Sequence, residues 1–127
     1  MTPPRPAGIR SHADFKIFRA DEWAALRKNG VSDGAPIDVT DGYVHFSTAE
    51  QAAETAAKHF KGEDGLFLLA FEADALGDAL KWEPSRGGAL FPHLYRPLKI
   101  EDVVWAQPLP LVGGVHEFPA GLGEASK

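Results

Sequence analysis

Side chains capable of acid–base chemistry and ligand binding are concentrated in two short segments of the sequence. The first covers residues 41–48 (DGYVHFST) and the second covers residues 82–98 (WEPSRGGALFPHLYRPL). Both combine histidine and tyrosine with glycine and hydroxyl residues, and the second also contains three prolines; such residues are typical of loops and strand ends, where functional groups are often held. We therefore expect the functional site to be built from these two segments.

Three polar side chains of the first segment fall on one face of a predicted strand. Successive side chains alternate, so Tyr43, His45 and Ser47 share one face, and Val44 and Phe46 share the other. With Val44 and Phe46 in the core, His45 lies near the next helix N-terminus, where amides and dipole favour a phosphate or another anion. The structural alternative is that His45 bonds a backbone carbonyl and Ser47 only caps the helix. We predict a site with His45 as a catalytic residue and Tyr43 and Ser47 as ligand contacts.

The second segment contributes four further candidates. Arg86 is predicted to bind an anion, because a guanidinium is always charged and can grip a phosphate or carboxylate at two points. The alternative is a surface ion pair with Glu83, which itself suits either a catalytic or a structural role. His93 and Tyr95 share a face if the segment is extended. They are predicted to contact the ligand, with anchoring of the loop as the alternative.

The composition limits the classes of function. The chain has 127 residues, no cysteine and a formal net charge of −5, from 13 basic and 18 acidic residues. Lack of cysteine excludes disulfides and thiolate nucleophiles, and it fits a cytoplasmic protein. The acidic balance argues against general nucleic-acid binding. The longest apolar run, residues 66–71, is far shorter than the roughly 20 residues of a membrane span.

An anionic ligand of such an acidic protein must be held locally, by a few placed groups. His45, His93 and Glu83 could in principle ligate a metal, but they lack the short spacing of metal-ligand motifs. We assign no metal.

Capping and turn residues predict the elements that position the first segment. The apolar run at residues 15–18 predicts a strand, Asp21 can cap a following helix, and Gly30 can end it. Residues 31–42 (VSDGAPIDVTDG) are rich in turn formers and predict a loop of functional length. Residues 43–46 then predict the strand that carries His45.

The next helix begins at a capping box, formed either by Thr48 with Gln51 or by Ser47 with Glu50. The apolar run at residues 66–71 predicts a strand buried on both faces, at the centre of the sheet. Later strands are separated by irregular loops. This order predicts a small single α+β domain over residues 14–119, with a mixed sheet and two main helices. Residues 1–13 are predicted to be a disordered N-terminal tail, and residues 120–127 a flexible C-terminal tail.

The chain resembles a widespread family of small bacterial proteins catalogued as a domain of unknown function, family 952. The resemblance covers residues 15–111. Its most specific stretches are DGYVHFSTAEQAAETAAKHF and LKWEPSRGGALFPHLYRPL.

A second resemblance is to the RNA 2'-phosphotransferases, and it is carried by VHFST, a helix ending in KHF, and LFLLAFEADAL. The resemblance implies an ADP-ribosyltransferase-like fold and NAD as the cofactor. It places His45 in the NAD site, with Ser47 at the hydroxyl position that follows. Arg19 and Arg86 are the candidates for that family's functional arginines.

Three functions follow as expectations. The first is an NAD- or nucleotide-binding protein that acts as a transferase of ADP-ribose, with His45 and Ser47 on ribose or phosphate, Arg86 on pyrophosphate, Glu83 orienting the acceptor and Tyr95 stacking. The second is a noncatalytic module that binds a nucleotide or a phosphorylated metabolite. The third is a protein-interaction domain in which His93 and Tyr95 are anchors in a partner's pocket.

Overall fold

The computed structural model describes residues 13–84 and 89–119 of the chain. In chain order its strands and helices are β1 (Ala13–Arg19), α1 (Ala20–Asn29), β2 (Val31–Ser32), α2 (Pro36–Asp41), β3 (Val44–His45), β4 (Ser47–Thr48), α3 (Ala49–His59), β5 (Leu66–Glu72), α4 (Ala73–Leu76), β6 (Leu80–Pro84), β7 (Leu90–Leu94), β8 (Leu98–Lys99), β9 (Val103–Leu109), β10 (Leu111–Val112) and β11 (Val115–His116). The α+β class is confirmed, and α1 and α3 are the two main helices, with two shorter ones beside them.

The strands form two principal sheets. One has the order β4-β1-β5-β9, with the apolar strand β5 inside it as predicted, and the other has the order β3-β7-β6. Two-stranded ribbons β2-β8 and β10-β11 complete the described strands. We predicted one mixed sheet, whereas every pairing among the described residues is antiparallel and the strands divide between sheets. Parallel neighbours need long crossover connections, and the short β6–β7 connection permits only an antiparallel pair.

The division falls inside the segment that carries His45. His45 pairs with His93 in one sheet, and two residues later Ser47 pairs with Phe15 in the other. Between them the Phe46 amide donates to the Pro92 carbonyl at 3.0 Å. The predicted continuous strand is therefore two short strands that join the sheets.

The core lies on both faces of the larger sheet. Phe15 and Ile17 of β1 pack with Ala56 of α3 on one face. Phe18, on the opposite face, packs with Val44 and Phe46. Because Val44 and Phe46 are buried, the predicted alternation of faces around His45 is confirmed.

The two main helices begin differently from each other. At α3 the Thr48–Gln51 capping box is formed, with backbone-to-side-chain distances of 3.1 and 3.2 Å, which decides between the two predicted boxes. At α1 the predicted cap Asp21 is wrong, because the helix begins at Ala20. The N-cap residue is Arg19, whose amide donates to the Glu22 carboxylate at 2.7 Å, and Asp21 accepts from the first-turn amide of Glu22 at 3.0 Å from within the helix.

The predicted loop at residues 31–42 contains helix α2. Pro36 supplies a preset φ at its first position, and Gly42 ends it with φ 85°. The buried Asp38 carboxylate accepts from the Ala35 amide at 2.7 Å and so closes the first turn. A helix this short is marginal in isolation, so the contacts of this buried carboxylate help to stabilise it.

Ala13, which was assigned to the N-terminal tail, is part of strand β1 and pairs with Glu72. The rest of the two predicted tails, residues 1–12 and 120–127, lies outside the described residues. Within the described part of the chain, no helix is long and apolar enough to cross a membrane.

Candidate functional site

A cleft of about 630 Å³ opens between the two principal sheets. Its walls come from β1, β3, β4 and β7, from the starts of α1 and α2, and from the C-terminal half of α3. Apolar rings and polar groups line it together: Phe15, Phe60, Phe91, Lys16, Arg19, His45, Ser47, His59 and His93. This volume lies within the range of about 300 to 1,000 Å³ that is usual for small-molecule sites.

Asp38 is a buried charged group in contact with His45, and nothing in the sequence pattern singles it out. Its Oδ1 lies 2.6 Å from His45 Nδ1 and accepts from the His45 amide at 3.0 Å. Its Oδ2 lies 2.7 Å from Lys16 Nζ. The carboxylate therefore fixes the backbone and the ring of His45 at once.

Lys16 contacts both Asp38 and the backbone of His45. Its ammonium also donates to the His45 carbonyl at 2.9 Å. Burial lowers the pKa of Lys16, with the charge of Asp38 opposing that effect. Burial also acts to raise the pKa of Asp38, but the hydrogen bond to His45 and the charge of Lys16 outweigh it and hold the pKa below its usual range. These two groups stabilise each other in a dry environment, where either one alone would be costly.

The other ring nitrogen of His45 faces a second carboxylate. Asp41 Oδ2 lies 3.0 Å from His45 Nε2. Asp38 is buried, whereas the Asp41 side chain is 36% exposed and that of His45 is 29% exposed. His45 is thus held between an inner carboxylate and an outer one.

His93 stands directly opposite His45 on the neighbouring strand, with ring centroids 5.4 Å apart in an edge-to-face arrangement. Its Nδ1 lies 2.8 Å from Glu83 Oε1, and the same oxygen accepts from the Tyr95 hydroxyl at 2.6 Å. Tyr43 covers the group, stacking on His93 at 4.2 Å and contacting His45 at 4.6 Å.

The pKa values of this network follow from its hydrogen bonds and burial. Burial lowers the pKa of His93, which is 3% exposed, against the opposing hydrogen bond to Glu83. The hydrogen bond from Tyr95, helped by that of His93, lowers the pKa of Glu83 despite its partial burial. The same bond raises the pKa of Tyr95 to about 12. Burial first, and then the negative charges of Asp41 and Glu83, raise the pKa of Tyr43.

Ser47 is the first residue of β4 and lines the cleft. It is 6% exposed, and its hydroxyl is 2.8 Å from the Thr55 hydroxyl of α3. Because Thr48 caps the helix, the hydroxyl of Ser47 is not needed for capping and serves this cross-element contact instead.

The structure brings six of the seven predicted site residues together. Tyr43, His45, Glu83, His93 and Tyr95 form one contact network, and Ser47 shares the cleft with His45 and His93. The seventh, Arg86, lies outside the described residues. The other three members of the network do not line the cleft among the described residues: Glu83, Tyr43 and Tyr95.

Sequence reasoning missed Lys16, Asp38 and Asp41. Lys16 did carry a usable signal, because a lysine on the core face of an apolar strand requires a buried partner of opposite charge. Asp38 and Asp41 carried none, since acidic residues in a turn-rich segment are ordinarily solvated. Among the described residues no group of three or more potential ligands is placed to hold a metal ion.

The geometry defines a class of small α+β domain in which a cleft lined by both apolar and polar side chains lies between two antiparallel sheets. Residues 17–106 match DUF952, described as a protein of unknown function, and the chain belongs to this family.

The crystal structure of protein CC0527 from Caulobacter crescentus is 49% identical and superposes with a TM-score of 0.80, covering 83% of this chain and 93% of that chain. The solution NMR structure of CC0527 is 49% identical with a TM-score of 0.76, covering 83% and 91%. No curated protein matches the chain.

Proposed function

We propose that the cleft binds a nucleotide, with NAD as the leading candidate, in a domain of ADP-ribosyltransferase-like fold. One observation carries the proposal: aromatic rings and hydrogen-bonding cationic groups line the same cleft. A nucleotide needs both, because its base requires an apolar surface for stacking and its phosphates require donors. The resemblance of VHFST and the elements after it to the RNA 2'-phosphotransferases supports the choice of NAD.

Within this proposal His45 and Ser47 contact the ribose or a phosphate. Asp38 fixes the orientation of the His45 ring, so that a contact with the ligand needs little further ordering of this side chain. Phe15, Phe60 and Phe91 supply apolar surface for a base.

Charge in the cleft is placed locally, as the acidic composition requires. Arg19 bonds Glu63 at 2.9 and 3.1 Å and lies over the Phe60 ring at 5.0 Å, which orients its guanidinium at the cleft wall. Lys16 is committed to Asp38 and His45. Direct contacts to a phosphate therefore fall to the imidazoles and to Arg19, and the cysteine-free composition supports a cytoplasmic place for this binding.

Transfer of ADP-ribose is the reaction that the resemblance implies. In that reaction the bond between ribose and nicotinamide breaks, nicotinamide leaves with the electron pair, and an acceptor oxygen bonds the ribose as it loses its proton. Glu83 was predicted to orient the acceptor, but its Oε1 is engaged by His93 and Tyr95, and the residue does not line the cleft. This observation favours a second candidate, a noncatalytic module for a nucleotide or a phosphorylated metabolite.

Calorimetric titration of the full chain with NAD, ADP-ribose and AMP tests the binding proposal. We expect saturable binding that His45→Ala weakens at least about tenfold, because the variant loses a charge-assisted donor. His116→Ala is the matched control, since His116 bonds the Glu63 carbonyl at 2.7 Å but does not line the cleft. Absence of binding by all three ligands, or equal weakening by both variants, contradicts the proposal.

Release of nicotinamide from NAD separates the transferase from the binding module. A transferase releases nicotinamide in the presence of water or an acceptor, and a module binds NAD and leaves it intact. The third expectation, a protein-interaction surface, loses one of its two anchors, because His93 is buried within this chain and only Tyr95, 42% exposed, faces outward.

A further inference from the structure

We propose that His45 Nε2 is an anion subsite that Asp41 occupies in the free protein, and that a phosphate or carboxylate oxygen of the ligand displaces this side chain. The contact of 3.0 Å between Asp41 Oδ2 and Nε2 already places an anionic oxygen against the imidazole. The subsite would hold one phosphate of the nucleotide, so its role in the cleft rests on the proposed function.

The two carboxylates at His45 differ in whether they can leave. Asp38 is 1% exposed and is held by Lys16 at 2.7 Å, by the Ala35 amide at 2.7 Å and by the His45 amide at 3.0 Å. Moving it would strand the Lys16 charge in the core. Any anion that binds His45 must therefore do so at Nε2, on the side of Asp41.

Asp41 is built to move. It is the last residue of α2, it is exposed, and Gly42 directly after it adopts a left-handed φ of 85° with open space around its Cα. Rotation of the Asp41 side chain into solvent breaks no backbone hydrogen bond of the helix. The cost of clearing the subsite is thus small.

The imidazole ring of His45 stays in place when the Asp41 side chain rotates away. Asp38 holds Nδ1, and Tyr43 and His93 contact the ring from two sides at 4.6 and 5.4 Å between centroids. The donor at Nε2 consequently keeps its position when the outer carboxylate leaves. An incoming anion meets a preorganised donor, and Asp41 competes with it through both occupancy and like charge.

Inorganic phosphate is the probe, because it tests the subsite without the rest of the cleft. The ring resonances of His45 are followed by NMR during phosphate titration at constant ionic strength, in the wild-type chain and in Asp41→Ala. We expect the dissociation constant for phosphate to fall about tenfold in Asp41→Ala, since the competing anion is gone. Asp41→Asn should give a smaller gain, because the amide oxygen can still face Nε2.

Asp21→Ala is the matched control. Asp21 is an exposed acid like Asp41 and lines the cleft, but its carboxylate accepts from the Glu22 amide at 3.0 Å and does not contact His45. We expect its phosphate affinity to stay within about twofold of wild type, because exposed charges at a distance are screened. An equal gain in both alanine variants, or His45 resonances that ignore phosphate in Asp41→Ala, overturns the subsite.

Parallel titrations with AMP and NAD keep the two proposals apart. If phosphate responds as expected and no nucleotide binds, the subsite stands and the proposed function fails. If nucleotides bind with the same affinity in wild type and Asp41→Ala, the subsite fails and the proposed function stands.

Discussion

His45 and His93 face each other across β3 and β7, and each directs its Nδ1 to a different carboxylate, Asp38 at 2.6 Å and Glu83 at 2.8 Å. Each ring is therefore oriented by its own support. The supports differ in kind, because Asp38 is buried with Lys16, whereas Glu83 is partly exposed and shares its oxygen with Tyr95. Perturbing one support should leave the other imidazole in place.

The Glu83–Tyr95 bond predicts an unusual tyrosine titration. Tyr43 and Tyr95 are the two tyrosines of the chain, so Tyr43→Phe isolates Tyr95 in the ultraviolet absorbance of tyrosinate. We expect a pKa of about 12 in this background, because ionisation would remove the hydrogen bond that the Tyr95 hydroxyl donates to Glu83 and would also place a second negative charge beside that carboxylate. Adding Glu83→Gln should return the pKa toward its ordinary value of about 10.

The raised pKa of Tyr95 also determines how the free energy of unfolding changes with pH. Since the folded pKa of Tyr95 is raised, the contribution of this bond is fully present below about pH 10 and is lost as the pH rises toward about 12. Unchanged titration in Glu83→Gln would mean that another group holds the tyrosine proton.

His93 predicts a loss of stability on mild acidification. Burial lowers its pKa in the folded state, so below about pH 6.5 the unfolded chain binds a proton that the folded chain resists. The free energy of unfolding should therefore fall as the pH is lowered below about 6.5, and less steeply in His93→Gln. Urea unfolding at several pH values measures the difference, and parallel curves for the two proteins would contradict it.

The buried pair of Lys16 and Asp38 predicts that Lys16 contributes far more to the free energy of unfolding than an exposed lysine does. Lys16→Met should lower the free energy of unfolding by about 3 to 5 kcal/mol, because it leaves the Asp38 charge buried without its partner. Lys58→Met, on the exposed face of α3, is the control and should change stability by less than about 0.5 kcal/mol. Chemical denaturation of both variants tests this, and similar small effects would show that the pair is solvated.

Gly34 predicts a steric requirement beside Asp38. A Cβ at Gly34 would lie 2.3 Å from Asp38 Oδ2, and the backbone φ is +99°. Gly34→Ala should therefore cost more than about 3 kcal/mol, since it displaces a buried, paired carboxylate. The control is Gly62→Ala, where φ is +75° with no atom within 4 Å, and where only about 1 to 2 kcal/mol of backbone strain is expected. Equal decreases in melting temperature in Gly34→Ala and Gly62→Ala would contradict the predicted clash.

Much of the candidate site could be predicted because it depends on local rules. Alternation along residues 43–47 correctly separated the polar from the apolar face, and the capping box placed the start of α3. The extended spacing of His93 and Tyr95 likewise brought both to Glu83.

What could not be predicted depends on distant partners. Asp38 is ordered by Lys16, 22 residues earlier, and no local pattern distinguishes it from a solvated aspartate. The switch of sheet at Phe46 is set by the pairing of Ser47 with Phe15 and of His45 with His93, and both pairings are long-range. Neither propensity nor periodicity contains such information.

The passage of residues 44–48 from one sheet to the other has a mechanical consequence. The amide of Phe46 bonds Pro92 in the smaller sheet, while the next residue, Ser47, pairs with Phe15 in the larger one. A sheet cannot peel away at this edge without pulling on its neighbour, so amide hydrogen exchange in β3 and β4 should report one shared opening event. The segment that carries His45 therefore couples the two sheets mechanically. A force that separates either sheet from this edge also acts on the strand of His45.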